Sequence, residues 1–241
     1  MILLVDIGNT RTKWRCLNDR YLKIGSGEVQ NQCVSDQFLE DTLCSYDIQK
    51  IYLSNVGQED GLKVFKDYSV RCKVKLHLVA SQKNMCGLLF AYEKIERLGV
   101  DRCLAMIGAY EKSAVLVIDA GSAITADYVN SKGEYFGGYI IPGYEMSRGS
   151  LLGKTARIGV MAGLGSIEPG TNTESCVNNG FALMYKSLLE GLIVFAKTVD
   201  VNRFIITGGD APMLRSLITE SIECHENLVL DGLQKYSLYY G

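Results

Sequence analysis

The sequence predicts an α/β protein built from two related domains with a cleft between them. Three observations carry this. Short apolar runs that suit buried strands alternate with segments of helical periodicity. One strand–turn–strand motif occurs twice, at 3–12 and at 116–125. Each copy opens a similar succession of strands and helices.

The elements follow in order. Residues 2–5 are a continuous apolar run, read as a buried strand that ends at Asp6-Ile7-Gly8-Asn9-Thr10. Strands are expected over 12–17 and 21–26, and a helix over 34–44. A strand over 51–55, a short helix over 62–68 and a strand over 74–79 come next. Residues 101–110 read as a helix. The second half opens with a strand over 114–118 that ends at Asp119-Ala120-Gly121-Ser122. Strands over 124–129 and 135–141, a long helix over 177–199 and a strand over 203–206 follow. Gly208-Gly209-Asp210 then leads into a helix from about Ala211. A strand near Leu228 and a helix over 233–239 close the chain. The boundary is placed near residue 111, giving domains of 1–111 and 112–241.

The two copies match closely. Leu3-Leu4-Val5-Asp6-Ile7-Gly8-Asn9-Thr10-Arg11-Thr12 answers to Leu116-Val117-Ile118-Asp119-Ala120-Gly121-Ser122-Ala123-Ile124-Thr125. Each runs from an apolar strand through Asp, one residue and Gly to a small polar residue, with Thr four places after the Gly.

Composition narrows the function classes. With 241 residues, 47% hydrophobic and 22% charged, the chain can bury a sizeable core without staples. A formal net charge of −2 with mixed signs argues against binding nucleic acid through a basic face. The first apolar run is short, lacks a basic flank and ends in Asp6, and no stretch approaches a membrane span. A cytoplasmic protein without membrane partners is therefore expected. The 8 cysteines form no Cys-x-x-Cys pair, and His77 and His225 are the only histidines. That disfavours a zinc site and a histidine-dependent hydrolase, and it predicts mostly buried, reduced thiols.

The paired turns suit phosphate. A Gly after a buried strand lets backbone approach a ligand, and successive N–H groups form an anion-binding concavity. Asn9, Thr10 and Ser122 add neutral donors, and Lys13 adds a point charge. Asp6 and Asp119 repel phosphate but can hold a cation or its waters. A single Asp-x-Gly turn is ordinary turn chemistry; two after matching strands point to a cation–triphosphate complex. Gly153-Lys154-Thr155 resembles the end of a P-loop, but the first P-loop Gly would fall at Arg148. Gly208-Gly209-Asp210 reads either as a nucleotide wall or as a strand-to-helix turn capped by Asp210. In Gly99-Val100-Asp101-Arg102, Asp101 could take a proton from a hydroxyl and Arg102 could grip a carboxylate. The alternative there is an Asp helix cap beside a solvated Arg.

Together these motifs resemble the type III pantothenate kinases of the actin/Hsp70/sugar-kinase superfamily, over nearly the full length. The resemblance rests on Asp6 to Arg11, Gly99 to Arg102, Asp119 to Ala123, Gly208-Gly209-Asp210, and Gly137-Gly138-Tyr139-Ile140-Ile141-Pro142-Gly143. It implies two ribonuclease H-like domains, the duplicated actin-like ATPase fold. It also implies ATP-dependent phosphorylation of pantothenate, with Asp101 as general base. Asp6, Ile7, Gly8, Asn9, Thr10, Arg11, Thr12 and Lys13 would bind ATP with Ser122, which stands where the family usually has Thr. Tyr92, Gly99, Val100, Asp101, Arg102 and Thr173 would bind pantothenate. Asp119 matches a position linked to the monovalent cation, K⁺ or NH₄⁺, that accompanies Mg²⁺ and ATP. The family is typically homodimeric and cytoplasmic. The segment from Glu93 to Leu98 lacks the proline usual in the family. The rival function is a nucleotide-binding accessory regulator of transcription; the Asp101-Arg102 pair speaks against it. A kinase for another alcohol, or an ATPase, is a further rival.

Overall fold

The computed structural model describes residues 1–43, 45–57, 59–154 and 163–241. They form two compact units, Met1–Ala109 with Asn227–Gly241, and Tyr110–Glu226.

The first unit opens with an antiparallel meander of β1 (Ile2–Ile7), β2 (Arg11–Leu17) and β3 (Lys23–Gln30). Helix α1 (Asp36–Leu43), β4 (Lys50–Asn55), α2 (Glu59–Arg71) and β5 (Lys75–Leu78) follow. The sheet order is β3-β2-β1-β4-β5, with β4 parallel to both its neighbours. Leu3, Val5 and Ile7 pack with Ile51, Leu53, Leu62 and Phe65 on one face. Leu4 and Tyr52 are buried on the other face, where α7 (Leu228–Tyr240) lies against β1 and β4. Burial on both faces is why β1 reads as an unbroken apolar run.

Strands β6 (Asn84–Met85) and β7 (Leu88–Phe90) form a small hairpin. Its two turn residues, Cys86 and Gly87, both have positive φ, 50° and 83°. That is the backbone a tight two-residue hairpin requires. Burial pushes the Cys86 thiol up to about 11.

Helix α3 (Val100–Ala109) crosses α7 at close range. A Cβ on Gly232 would lie 1.9 Å from the Leu104 carbonyl oxygen, and one on Gly108 would lie 2.3 Å from that of Leu228. These reciprocal glycines let the two backbones meet. The C-terminal helix thus belongs with the first unit, whereas the sequence places all of 112–241 in the second.

The second unit repeats the plan. Its strands are β8 (Val115–Ala120), β9 (Ala123–Val129), β10 (Glu134–Pro142), β11 (Arg203–Thr207) and β12 (Glu223–Cys224). Within the unit their order is β12-β11-β8-β9-β10, the same arrangement as β5-β4-β1-β2-β3. Pairing senses match too: β8–β9 and β9–β10 are antiparallel, β8–β11 and β11–β12 parallel. Helix α4 (Tyr144–Gly153) follows β10, and α6 (Ala211–Arg215) follows β11. Helix α5 (Thr173–Thr198) buries Phe181, Tyr185, Leu189, Leu192 and Ala196 against the sheet at helical spacing. It starts earlier than the apolar pattern suggests, because Asn172 and Ser175 form a reciprocal capping box.

Two expectations need correction. The apolar run at Leu228 is the first turn of α7, and the last strand is β12 instead. Three consecutive apolar residues carry no period of their own, so strand and helix read alike there. Among the described residues the thiols are not mostly buried: Cys33, Cys72, Cys176 and Cys224 are exposed, Cys86 is half-buried, and only Cys16 and Cys103 are buried. None of the four exposed ones occupies a core-facing position. The expected helix over 34–44 is α1, and Cys44 lies outside the described residues.

One stability effect follows from β5. The His77 ring stacks on Tyr52 at 4.7 Å between centroids, and its Nε2 is buried without a hydrogen-bond partner among the described residues. Burial, then Lys75 and Lys50, hold His77 below its ordinary 6.5, so the fold keeps it neutral. A depressed histidine contributes stability that is fully present above the unfolded value and is lost as pH falls below it. Thermal unfolding between pH 7.5 and 5 should therefore show a decline that His77→Phe flattens. An unchanged pH profile in H77F would remove His77 as its source.

Candidate functional site

In the first unit, the turn after β1 is built around Gly8. Its N–H donates to the Arg11 carbonyl at 3.0 Å. A Cβ on Gly57 would lie 2.2 Å from the Gly8 carbonyl oxygen, so only glycine at 57 lets the segment after β4 close under the turn. Val56 and Gly57 N–H groups both donate to the Ile7 carbonyl. Asn31 is the second brace. Its Nδ2 donates to the Gly8 carbonyl at 2.8 Å, and its Oδ1 accepts from Thr12 Oγ1 at 2.9 Å. Asn31 and Gly57 carry no sequence signal of this role; the contacts are long-range.

This architecture sorts the candidate residues. Asn9, Thr10 and Arg11 are exposed on the turn, and Asp6 and Lys13 are half-buried opposite one another in the β1–β2 register. The Asp6 carboxylate accepts from Ser54 Oγ at 2.8 Å, which fixes its orientation. Arg11 is ion-paired with Glu28. Ile7 is in the core, so only its backbone faces the turn. Thr12 is fully buried with its hydroxyl given to Asn31, a bracing position.

The second cluster lies at the start of α3. Asp101 sits in its first turn and accepts from the Arg102 N–H at 2.8 Å through Oδ1. Arg102 is buried at 7% exposure, which excludes the solvated arginine of the plain-cap alternative. A Cβ on Gly99 would lie 2.4 Å from Asp101 Oδ1. Glycine at 99 therefore makes room for this carboxylate rotamer. Val100 is buried at 7% and offers only its backbone, while Tyr92 is half-buried just after β7. The segment lacking the family's proline forms a short 3-10 turn, Ile95–Arg97.

Gly99→Ala tests this arrangement. The atom in the way is the end of a mobile side chain, so the fold can yield cheaply by rotating Asp101. Stability should change by less than about 1 kcal/mol, while turnover falls roughly tenfold or more from misplacing the carboxylate. A melting temperature that drops along with activity would mean that Gly99 serves the fold instead.

The second unit carries the matching turn. Gly121 N–H donates to the Ala123 carbonyl at 3.1 Å, and Ser122 is exposed at the tip. Two glycines wrap it. A Cβ on Gly143 would meet the Gly121 carbonyl oxygen at 2.2 Å and that of Ser122 at 2.7 Å. One on Gly208, whose φ is +96°, would meet the Ala120 carbonyl oxygen at 2.3 Å and Asp119 Oδ1 at 2.5 Å. The Asp210 N–H donates to the Ala120 carbonyl at 2.9 Å. Asp119, half-buried, therefore stands between the strand and the Gly208 backbone. Asp127, a carboxylate 2% exposed on β9, shares the Asp119 face by strand alternation and was not among the sequence candidates.

Thr173 is the first residue of α5 and is exposed. Gly153 and Lys154 end α4 instead of joining a strand to a helix, as a P-loop would; Thr155 lies outside the described residues. Among the described residues, no group of three or more His, Cys, Asp or Glu is placed to hold a metal, and no helix is long and apolar enough to cross a membrane.

Comparison with known proteins adds to this geometry. The profile of the type III pantothenate kinase family matches residues 2–194. A type III pantothenate kinase from Marinobacter nauticus is 36% identical over 98% of this chain and 97% of its own. Among solved structures, a conserved Baf family protein from Campylobacter jejuni, named as a transcriptional activator, superposes with a TM-score of 0.66 at 22% identity, covering 98% of each chain. The activator of 2-hydroxyisocaproyl-CoA dehydratase from Clostridium difficile, solved with bound ADPNP, gives a TM-score of 0.52 at 13% identity over 99% of this chain and 93% of its own. At these identities the structural likenesses bear on the fold alone. The fold is a duplicated ribonuclease H-like α/β architecture.

Proposed function

The chain belongs to the type III pantothenate kinase family, and on that premise we propose that it transfers the γ-phosphoryl group of ATP to the primary hydroxyl of pantothenate, forming 4′-phosphopantothenate for coenzyme A synthesis. The observation that best supports this is that each unit carries a glycine-braced Asp-x-Gly turn, the first unit also carrying an oriented carboxylate at Asp101.

Asp6 to Lys13 and Ser122 form the two phosphate-binding segments. Exposed backbone N–H groups, Asn9, Thr10 and Ser122 donate to phosphate oxygens, and Lys13 adds charge. Ile7 and Thr12 hold the first turn in shape. Gly99, Val100, Arg102, Tyr92 and Thr173 bind pantothenate, with Arg102 on its carboxylate. Asp101 accepts the hydroxyl proton. The hydroxyl oxygen then bonds to the γ-phosphorus as the bond to the β–γ bridging oxygen breaks, and ADP leaves. Positioning and electrostatic stabilisation supply most of the acceleration.

Kinase chemistry of this kind uses ATP with a divalent metal, and Mg²⁺ is the one proposed. The donors suit it: Asp6, oriented by Ser54, and Asp119 are carboxylates at the two turns, and Mg²⁺ is commonly held by one or two carboxylates with water and phosphate oxygens. Asp119 is also assigned to K⁺ or NH₄⁺. The metals neutralise phosphate charge when bound. A cytoplasmic homodimer is proposed as well. The dimer is supported by exposed apolar side chains on the second unit, where Tyr139, Leu183, Met184, Val194 and Phe195 are each more than 40% exposed.

The test is conversion of pantothenate to 4′-phosphopantothenate by the purified protein with MgATP, with and without K⁺ or NH₄⁺. Product that requires the monovalent ion supports the kinase and its cation site together. ATP binding without product under any condition would overturn the pantothenate assignment.

A further inference from the structure

Asp210 occupies a position that invites a helix cap yet does not act as one. It precedes α6, but its side chain makes no capping hydrogen bond. The second helical residue is Pro212, which has no N–H to offer. Among the described residues, no hydrogen bond or ion pair engages this carboxylate. Burial, and then the neighbouring Glu145 carboxylate, raise its pKa, so the surroundings disfavour its charge. A half-buried acid kept under those conditions lacks a structural reason.

Its location supplies a functional one. The Asp210 N–H is bonded to Ala120, next to Gly121 and Ser122 of the second phosphate turn. The Gly208 backbone packs on Asp119 of the same turn. A carboxylate repels phosphate and accepts only from donors. In a nucleoside triphosphate, the first donor-bearing group beyond the α-phosphate is the sugar, and the base amine lies further out. Acidic side chains beside glycine-rich phosphate turns bind ribose hydroxyls elsewhere by this chemistry.

We propose that Asp210 accepts hydrogen bonds from the ribose hydroxyls of the bound nucleotide and makes the site selective for ribonucleotides over deoxyribonucleotides. This deepens the kinase reading and rests on it.

Calorimetric binding of ATP, 2′-deoxyATP, 3′-deoxyATP and GTP to the full chain tests it without requiring turnover, and the pantothenate assay is run in parallel. The wild type should bind ATP about 10- to 100-fold more tightly than at least one deoxy analogue. Asp210→Ala should weaken ATP by about that factor and leave that deoxy analogue nearly unchanged. Asp210→Asn, which keeps the shape and one acceptor oxygen, should fall between. Equal losses for ATP and both deoxy analogues would overturn the proposal. So would a wild type that ignores the hydroxyls, or a variant whose preference shifts only between ATP and GTP. Absence of pantothenate phosphorylation alongside intact ribose discrimination would sink the kinase reading and leave the ribose contact standing.

Discussion

Asp101→Asn is expected to lower turnover by about 10²- to 10⁴-fold, the range for loss of a general base, while ATP affinity stays within about threefold. The substitution is well suited to the question. An asparagine retains Oδ1 as acceptor for the Arg102 N–H, so the 2.8 Å bond that orients the side chain can persist. Its shape also keeps clear of Gly99 as the carboxylate does. Only the capacity to take a proton is removed. Steady-state rates with saturating pantothenate and MgATP, combined with calorimetric ATP binding, separate chemistry from binding. If D101N retains more than about a third of wild-type turnover, Asp101 is not the base. If ATP binding collapses as well, the residue holds the site together in some other way. Gly99→Ala then serves as a partner experiment, since it displaces the same carboxylate without changing its chemistry.

The frame of the site was legible in the sequence because it rests on local chemistry. A strand buried on both faces shows as an apolar run, and β1 and β8 are such strands. The Asp and Gly that follow them mark the strand ends where each turn begins. Their recurrence at 119–121 pointed to a duplicated fold, and the identical strand orders of the two units bear that out. The supports were hidden because they act over long separations. Asn31 reaches back 23 residues to the Gly8 carbonyl, and Ser54 reaches 48 residues to Asp6. Gly57 matters through how near another backbone comes, which no local pattern records; Gly143 and Gly208 stand in visible motifs, but the turn they wrap is not legible there. Thr12 shows the converse. The family resemblance implied ATP contact there, and the structure gives its hydroxyl to Asn31, a support no local pattern shows.

The elements that escaped the sequence share a weakness of pattern. Helix α4 carries two glycines and two serines and buries only Tyr144, so it lacks an apolar stripe. The hairpin of β6 and β7 has two- and three-residue strands, too short for alternation to register. Helix α7 begins with Leu228-Val229-Leu230, all buried, and only the packing of Gly232 on α3 shows where it belongs.

Gly208→Ala should be the most damaging single-methyl change in the second unit, and Gly209→Ala beside it should be tolerated by the fold. At 208 the backbone has φ of +96°, a region that alanine rarely adopts. The new Cβ would also sit 2.3 Å from the Ala120 carbonyl oxygen and 2.5 Å from Asp119 Oδ1. Of these atoms the Asp119 carboxylate can rotate aside, but the backbone oxygen belongs to a paired strand and cannot. Strain and overpacking together should destabilise the fold by about 2–4 kcal/mol. Displacement of Asp119 should also cut kcat/KM for ATP by roughly 10²-fold or more in whatever protein remains folded. Nothing lies within 4 Å of a Cβ at Gly209, so Gly209→Ala should shift stability by less than about 0.5 kcal/mol. Denaturant unfolding of both variants, with ATP kinetics below the transition, reads the contrast. Two variants equal in both stability and ATP kinetics would mean that the Gly208 backbone does not press on the second turn, and the account of how Asp119 is held would fall with it. A stable but inactive G208A would instead mean that the turn gives way while the sheet does not, placing the cost wholly on the phosphate site.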